Sequence, residues 1–375
     1  MNSNDFSERD TSGFRAASVS LENFRNYEHL FVDLGAGFNV VHGANAQGKT
    51  NFLEAVYLLS STRILRGFRD IEAIREGSQT ARVQAIVGDH RSKIAVILQA
   101  GSRKRAQLND MNLPRAADLI GKLPCVCVSS ADLSLVAGEP SDRRLFLDFE
   151  LSQLFPAYLH RLANYRRALD QRNALLKHAQ ESPVSKSAFE PWEAQMAEHG
   201  AAIRQSRHEY VTDMIPIAAS TQFDLSGGES LTLEYVTRDD GTTASELLEL
   251  MASNRRSEIG RGSSNVGPHR DDVLIQVGGR EARLFGSQGQ QRTAMISIKL
   301  ATLALTKKFL GSPAILLLDD IFSDLDERRR GRLTEWIPDN AGQTILTCTE
   351  AKLAGPKILG VAKMFNCCQG ELYET

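Results

Sequence analysis

FNVVHGANAQGKTNFLEAVYLL, at residues 38–59, joins a short apolar run, a glycine-rich loop and a helix with an apolar face. Within it, residues 43–50 match the pattern GxxxxGK followed by Ser or Thr at every fixed position. The run before the loop is typical of a buried parallel strand, and the apolar residues after it recur at helical spacing. A strand, a glycine loop and a helix in this order predict a phosphate-binding loop in an α/β domain.

The residue types of this loop explain how it would hold phosphate. Gly43 and Gly48 allow backbone N–H groups to turn inward onto phosphate oxygens, and the helix N-terminus adds partial positive charge. Lys49 can reach the β- and γ-phosphates, and the Thr50 hydroxyl can ligate magnesium. The sequence therefore predicts that ATP and Mg²⁺ bind here, through Gly43, Ala44, Asn45, Ala46, Gln47, Gly48, Lys49, Thr50 and Asn51.

Two adjacent carboxylates end the apolar run AILLLDD at residues 314–320. Such a run is typical of a central strand whose tip opens onto a nucleotide site. Asp319 is the expected magnesium partner, and Asp320 is placed to orient or deprotonate the attacking water. Lys49 and Asp320 are therefore predicted to be catalytic residues for ATP hydrolysis.

LSGGES, at residues 225–230, is similar to the LSGGQ stretch with which ATP-binding cassette proteins contact the ATP of a partner subunit. That role requires the start of a helix, because the helix N-terminus points at the γ-phosphate. LSGGES is instead followed by LTLEYV, whose alternation predicts a turn and then a β-strand.

GSQGQQR, at residues 286–292, fits that role better. Apolar residues after it recur at helical spacing, Gly311 marks the helix end, and the strand ending at Asp319 comes next. This is the order that an ATP-binding cassette requires. We therefore predict that the ATP of a partner subunit is contacted by Ser287, which would act in catalysis, and by Gln288, Gly289 and Gln290.

Together these motifs resemble the structural-maintenance-type ATPases of the ATP-binding cassette superfamily and, more narrowly, the RecF family. The narrower match rests on LENFRNY (21–27), SSTRILRGFRD (60–70), YRRALDQRN (165–173) and GPHRDD (267–272). The resemblance implies an α/β fold: an ATPase head with a mixed sheet flanked by helices, and an inserted α-helical lobe. It also places Arg25 among the nucleotide-binding residues.

The chain departs from the wider superfamily at three points. Asp320 stands where many cassette ATPases have a glutamate, and its shorter side chain predicts slow hydrolysis. Residues 343–350, QTILTCTE, contain no histidine, so Thr349 stands in place of the usual switch residue. Ser129 to Leu133 best fit the usual glutamine loop by position.

The phosphate loop and its partner elements lie far apart in the sequence, so one nucleotide-binding lobe must be built from both ends. We expect a flexible tail (1–14), an ATPase lobe (15–145 and 261–375) and a mainly helical insert (146–260). In the insert, apolar residues recur every three or four positions over residues 151–169 and 189–210. This predicts two amphipathic helices joined by a loop at 181–186, as an antiparallel pair too short for a long coiled coil.

The composition restricts the class of protein. The 375 residues are 42% hydrophobic with a formal net charge of -2, so any nucleic-acid site must be a local patch. Five scattered cysteines indicate reduced thiols in a cytoplasmic protein. The polar N-terminal residues lack the apolar core of a signal peptide, and no apolar run approaches the roughly 18 residues of a membrane helix.

Residues 60–115 form a basic region with a net charge of about +6. Its five acids oppose eleven basic residues, Arg63, Arg66, Arg69, Arg75, Arg82, Arg91, Lys93, Arg103, Lys104, Arg105 and Arg115. The run at 103–105 is expected at a hairpin tip. We predict that Arg63, Arg66, Arg103, Lys104 and Arg105 bind DNA phosphates without reading sequence.

The resulting hypothesis is an ATP-gated DNA-binding protein of replication and recombinational repair. Two subunits would sandwich two ATP molecules, close on duplex or gapped DNA, and reopen after hydrolysis. The resemblance implies RecO and RecR as partners in loading RecA onto single strands. The alternatives are the ATPase subunit of a transporter, which predicts a membrane partner and a switch histidine, and a metabolic P-loop kinase, which leaves SQGQQR unexplained.

Overall fold

The computed structural model describes residues 14–67, 69–88 and 92–375, so the predicted tail lies outside the described residues apart from Phe14. Contacts divide the chain into two compact units. Unit 1 comprises the chain up to Asp132, Asp224–Ser226 and Ile296–Thr375, and unit 2 comprises Leu133–Phe223 and Gly227–Met295. These divisions fall after residues 132 and 295, whereas the sequence-based bounds fall at 145 and 261.

The strands of the described residues are β1 (Ala16–Phe24), β2 (Tyr27–Asp33), β3 (Phe38–His42), β4 (Thr80–Val87), β5 (Ser92–Gln99), β6 (Arg105–Leu108), β7 (Met111–Asn112), β8 (Cys125–Val128), β9 (Leu231–Val236), β10 (Asp272–Val277), β11 (Arg280–Glu281), β12 (Ile315–Asp319), β13 (Thr344–Cys348), β14 (Lys363–Cys368) and β15 (Glu371–Glu374). The helices are α1 (Lys49–Ser61), α2 (Ser134–Ala137), α3 (Pro140–Leu154), α4 (Pro156–Glu181), α5 (Lys186–Ser226), α6 (Ala244–Arg261), α7 (Ala282–Phe285), α8 (Gln288–Leu310), α9 (Glu327–Asn340) and α10 (Pro356–Leu359).

Unit 1 contains two six-stranded sheets. One is antiparallel, in the order β2-β1-β4-β5-β6-β7, and the other is mixed, in the order β15-β14-β3-β13-β12-β8. Helix α1 contacts strands of both sheets, and its buried apolar residues belong to one core with them. A helix that is apolar on most of its surface is stable only when it is covered on several sides, which this position provides.

The mixed sheet brings the predicted nucleotide elements together. Strand β13 pairs in parallel with both β3 and β12, so the C-terminal ends of these three strands meet at one edge. The phosphate loop comes directly after β3, and the two predicted carboxylates lie at the end of β12. Ligands bind at this edge of parallel sheets because the strands open there into loops and helix N-termini.

Unit 2 is mainly helical and includes a three-stranded antiparallel sheet in the order β11-β10-β9. Helix α3 contacts both α4 and β10, and α4 contacts α6. A capping box starts α6, in which the Thr243 backbone N–H donates to Glu246 Oε2 at 2.8 Å and the Glu246 N–H donates to Thr243 Oγ1 at 3.3 Å.

Buried ion pairs also hold unit 2 together. Arg172 is fully buried, and its guanidinium lies 3.0 Å from Glu193 and 2.7 Å from Glu258. It also donates to the Ser264 hydroxyl at 2.8 Å. Arg255 also pairs with Glu193, which therefore has two cationic partners. Among the described residues, Glu258 depends on Arg172 alone for its balancing charge.

The two glycine-serine stretches have the structures predicted for them. Helix α5 ends at Ser226, Gly227 adopts a left-handed conformation at φ 87°, and strand β9 comes after it. Helix α8 starts at Gln288, immediately after Ser287. The LSGGES stretch is therefore a helix end and turn, while SQGQQR opens a helix.

One prediction for the insert is wrong. The apolar stripe over residues 151–169 is not one helix, because α3 ends at Leu154 and α4 begins at Pro156. Phe155 between them is extended, with φ -129° and ψ 101°. A residue that precedes proline is disfavoured in the helical region, so the pattern continues through a break in the backbone. The loop predicted at 181–186 is found between α4 and α5.

Candidate functional site

The Lys49 side chain folds back onto the backbone of the phosphate loop. The Lys49 ammonium group donates hydrogen bonds of 2.8 Å to the carbonyls of Gly43 and Ala44. Gly43 and Gly48 have φ values of 149° and 118°, and a Cβ at Gly43 would lie 2.4 Å from the Cys367 carbonyl oxygen. Glycine is thus required at both positions by backbone conformation, and at Gly43 also by a neighbouring strand.

Residues far away in sequence fix the loop from outside. The Gln47 carbonyl accepts from Asn26 Nδ2 at 3.0 Å and from the Gly370 N–H at 3.1 Å, and its side-chain oxygen accepts from the Gln369 N–H at 2.8 Å. The Tyr27 hydroxyl donates to the Gly48 carbonyl at 3.0 Å. The turn between β14 and β15, at residues 369–370, therefore holds one side of the loop.

The predicted magnesium ligands lie next to each other. Thr50 Oγ1 donates to Asp319 Oδ1 at 2.8 Å, and the Thr347 hydroxyl donates to the same oxygen at 2.9 Å. Burial raises the pKa of the Asp319 carboxyl, while the hydrogen bonds from the two threonines lower it. A hydroxyl and a carboxylate are oxygen ligands of the kind that Mg²⁺ prefers, so these residues fit the ion.

Asp320 is held at the site by its backbone. Its φ of 52° is left-handed, and its N–H donates to Thr347 Oγ1 at 3.0 Å. Its carboxylate accepts from the Ser323 hydroxyl at 2.6 Å. A left-handed aspartate is uncommon and costs conformational energy, which is typical of a residue that is held in a functional position.

Thr347 was not among the predicted site residues, whereas Thr349 was predicted at the position of the usual switch residue. Thr347 lies within strand β13 and contacts both Asp319 and Asp320. Its signal in the sequence is weak, because a threonine in a buried strand is also an ordinary β-forming residue. Asn26, Gln369 and Gly370 were likewise not predicted, since they reach the loop only through the tertiary fold.

Arg25 binds protein groups beside the phosphate-loop helix. Its guanidinium forms two hydrogen bonds with the Glu54 carboxylate, at 2.9 and 2.8 Å, and donates to the Arg66 carbonyl at 2.6 Å. Arg66 in turn donates to Asn51 Oδ1 at 2.7 Å. Arg25, Asn51 and Arg66 line one open cavity of about 980 Å³ in unit 1.

Ser287 caps helix α8. The Gln290 N–H donates to Ser287 Oγ at 3.3 Å, and the Ser287 N–H donates to Gln290 Oε1 at 2.9 Å. The Gln290 amide also donates to Glu229 at 2.8 Å. Glu229 belongs to LSGGES. This stretch therefore contacts SQGQQR, the stretch that begins helix α8, through a side-chain hydrogen bond. Gln288 and Gly289 form the first turn of α8.

The predicted DNA-binding residues fall into two groups. Arg66 belongs to the cavity beside the phosphate loop, and Arg63 is exposed just after α1. Arg103 and Lys104 lie in the loop between β5 and β6, and Arg105 starts β6, as a hairpin requires. Lys104 is paired with Asp70 at 3.0 Å, whereas Arg63, Arg103 and Arg105 form no ion pair with any described residue. Arg91 lies outside the described residues.

Several known proteins are similar to this chain over nearly its full length. The family model for the RecF/RecN/SMC N terminal domain matches residues 16–366. The DNA replication and repair protein RecF of Agathobacter rectalis is 38% identical over 359 residues, covering 95% of this chain and 98% of that protein. The protein of the same name from Symbiobacterium thermophilum is 39% identical over 345 residues, covering 89% of this chain and 91% of that one.

Solved structures give the same result. A recombination mediator protein RecF with ATP, of the RecFOR pathway, superposes with a TM-score of 0.87 at 27% identity, over 97% of this chain and 98% of that one. The Smc head bound to the C-winged helix domain of ScpA has a TM-score of 0.55 at 15% identity, over 96% of each chain, which is a likeness of fold.

The phosphate loop, the carboxylate strand and the helix that begins after Ser287 define an ATPase head of the ATP-binding cassette type, in its SMC-like branch. The matches extend over almost the whole chain rather than over this head alone. The chain belongs to the RecF family of DNA replication and repair proteins. These relatives give no support to the transporter alternative. Among the described helices, none combines the length and the apolar character needed to cross a bilayer.

Proposed function

We propose that this protein binds ATP with Mg²⁺ at the phosphate loop and uses the nucleotide to control DNA binding in replication and repair. The observation that carries the proposal is the contact of Thr50 with Asp319, at 2.8 Å, beside a lysine that reaches the loop carbonyls. The ATP-bound structure of a RecF relative supports it. Nucleotide phosphate would replace the Gly43 and Ala44 carbonyls as the partner of Lys49.

Thr50, Asp319 and Asp320 would have different roles in hydrolysis. Thr50 and Asp319 would hold Mg²⁺, which supplies charge neutralisation for phosphate oxygens when it is bound. Asp320 would accept a hydrogen bond from the attacking water and orient it, with its backbone fixed by Thr347. An aspartate reaches less far than a glutamate, so we propose slow hydrolysis that acts as a switch. Asp320→Asn should abolish hydrolysis while ATP binding persists.

ATP would act by stabilising a homodimer. Ser287, Gln288, Gly289 and Gln290 would contact the nucleotide held by the partner subunit, and an exposed helix start suits this role because its N–H groups favour negative charge. Ser287→Arg should abolish the ATP-dependent dimer in analytical ultracentrifugation and leave ATP affinity unchanged, whereas the exposed control Ser187→Arg should dimerise normally. Persistent dimers in Ser287→Arg would refute the sandwich arrangement.

DNA would bind through phosphate contacts to Arg63, Arg66, Arg103, Lys104 and Arg105. We would measure the fluorescence anisotropy of a labelled gapped duplex with and without ATP, using Lys49→Ala to remove nucleotide control. Replacing Arg103 and Arg105 with glutamine should weaken binding and reduce its salt dependence, because fewer counterions are released. The control Arg167→Gln changes an exposed arginine of unit 2. Equal DNA affinity with and without ATP would refute the proposal that ATP controls DNA binding.

We also propose protein partners for this chain in the cell. A RecF relative is described as a recombination mediator of the RecFOR pathway, which supports RecO and RecR as partners and RecA loading at gaps and single-strand junctions as the outcome. Cytoplasmic location follows from that role. Co-sedimentation of purified RecR and RecO with the ATP-bound protein on gapped DNA tests the assignment, since a transporter subunit would bind neither.

A further inference from the structure

Two sequence stretches meet within unit 2. Tyr165, from YRRALDQRN, places its hydroxyl 2.6 Å from Nδ1 of His269, from GPHRDD. Gly267 allows this approach, because a Cβ there would lie 2.4 Å from the Tyr165 hydroxyl and its φ is 122°. Both stretches border one cavity of about 280 Å³ that lies entirely within unit 2.

The cavity combines positive charge with few acids. Three guanidinium groups line it, from Arg144, Arg166 and Arg207, with a single carboxylate, from Asp148. His269 is neutral, since burial lowers its pKa to about 4. The lining therefore has two more positive than negative charges at neutral pH.

The one carboxylate is already occupied. Asp148 accepts from Arg207 at 2.7 Å and from Arg166 at 2.9 Å, and also from the Tyr158 hydroxyl at 2.6 Å. Arg207 is buried, while about half of the Arg166 side chain is exposed at the mouth. Asp148 thus balances one of these two arginines and has no capacity for a third cation.

Arg144 is the arginine without an acidic partner. It donates to the Asp271 carbonyl at 2.7 Å, and no carboxylate of the described residues lies within ion-pair distance of it. The nearby acids are paired elsewhere: Asp271 binds Arg204 at 2.7 Å, and Asp272 binds Arg143 at 2.6 Å. Burial and the charge of Arg207 lower the pKa of Arg144. The charges of Asp272, Asp271 and Asp148 offset this lowering of the pKa only in part, so a bound anion would stabilise the charged guanidinium.

The remaining lining is mostly apolar. Besides Ser141 and Tyr165, it consists of Leu145, Leu162, Leu169, Ile203 and Pro268. Sites that hold a DNA backbone are open grooves with cations along their length, because successive phosphates must be neutralised. A small cavity with aliphatic walls beside one unpaired guanidinium instead suits an anion that is attached to an apolar group.

We propose that this cavity binds a carboxylate adjacent to an apolar side chain, presented by a segment of a partner protein. Arg144 binds the carboxylate, and the aliphatic walls cover the neighbouring side chain. Arg166, at the mouth, adds a second donor when the segment enters. None of the residues that line the cavity belongs to the phosphate loop, and the proposal requires neither ATP nor DNA.

Saturation-transfer NMR with N-acetyl-L-leucine as the probe tests the proposal. The probe carries one carboxylate and one aliphatic side chain, and N-acetyl-L-leucinamide is the uncharged control. We expect the leucine derivative to bind in the millimolar range and the amide to bind at least about tenfold more weakly, since the charge-assisted hydrogen bonds are lost. Equal binding of the two probes would overturn the proposal.

Variants locate the site. Arg144→Gln should lose binding of N-acetyl-L-leucine, Arg144→Lys should retain part of it, and the exposed control Arg167→Gln should bind like the unmodified protein. Thermal unfolding identifies any variant that fails to fold, and Arg166→Gln then provides a second measurement at the cavity mouth. Unchanged binding in both Arg144→Gln and Arg166→Gln would overturn the proposal. Displacement of the probe by a short oligonucleotide, but not by peptides ending in leucine, would reassign the cavity to DNA phosphate.

Discussion

The hydroxyl of Thr50 and the carboxylate of Asp319 are joined by a hydrogen bond of 2.8 Å, although 269 positions separate them in the sequence. Thr50 lies in helix α1, which follows strand β3, and Asp319 lies at the end of strand β12. Strand β13 lies between β3 and β12 in the sheet. The contact therefore requires β3, β13 and β12 to be paired in this sheet. In the proposed function, these two side chains would hold Mg²⁺.

Asp319→Asn tests this pair directly. The amide preserves the size of the side chain but removes its charge, so ATP affinity in the presence of Mg²⁺ should fall by about tenfold or more. ATP affinity in EDTA should change little. Isothermal titration calorimetry with and without Mg²⁺ measures both quantities. If Mg²⁺ still strengthens ATP binding equally in the variant, Asp319 is not the metal partner.

Gly43→Ala should disrupt the phosphate loop. Its Cβ would lie 2.4 Å from the Cys367 carbonyl oxygen, and φ is 149°. We expect a loss of about 1–3 kcal/mol in the free energy of unfolding, together with weaker ATP binding. Gly37→Ala is the matched control, because a Cβ there meets no atom within 4 Å. Equal stability of the two variants in urea unfolding would argue against the clash.

Arg172→Met should destabilise unit 2 strongly. The change leaves Glu258 buried without its cation and leaves Glu193 with Arg255 alone, and removing one partner of a buried pair costs about 3–5 kcal/mol. Arg167→Met changes an exposed arginine on the same helix and should cost little. Chemical denaturation of both variants measures the difference. A loss in Arg172→Met no larger than that in the control would show that the ion pairs are dispensable.

His269 should make stability depend on pH. Its pKa is lowered from 6.5 to about 4 by burial, so between these values the unfolded chain binds a proton that the folded protein does not. The stability contribution of neutral His269 is complete above pH 6.5 and is lost as the pH falls toward 4. His269→Asn cannot titrate, so its free energy of unfolding should fall less steeply over this interval. Parallel pH profiles would contradict the assignment.

The sequence predicted those parts of the site that are encoded by contiguous patterns. The phosphate loop, the AILLLDD strand and the helix after Ser287 each combine a short motif with its own flanking periodicity. LSGGES and SQGQQR were distinguished by the element that comes after each stretch, a strand in one and a helix in the other. Each of these motifs and its flanking element are contiguous in the sequence, so they can be predicted from a single sequence.

The missing parts depend on the tertiary fold. Thr347 and Asn26 are ordinary strand and turn residues until the sheet places them beside Asp319 and Gln47. The break at Phe155 was readable, since proline comes directly after it, but the apolar periodicity continued across the break and concealed it. Arg144 lacks an ion-pair partner among the described residues because Asp148, Asp271 and Asp272 pair with other arginines. Those pairings depend on the tertiary fold and could not be predicted from a local sequence pattern.

The anchoring of Gln47 by residues 369 and 370 has a consequence for biosynthesis. The ribosome makes the phosphate loop early, but the residues that hold it are added 322 positions later. Domains fold during translation as their contacts become available, and contacts this distant become available last. The nascent chain consequently carries an unfinished loop through most of its synthesis. The hydrogen bonds that hold Gln47 from outside can therefore form only after residues 369 and 370 have been translated.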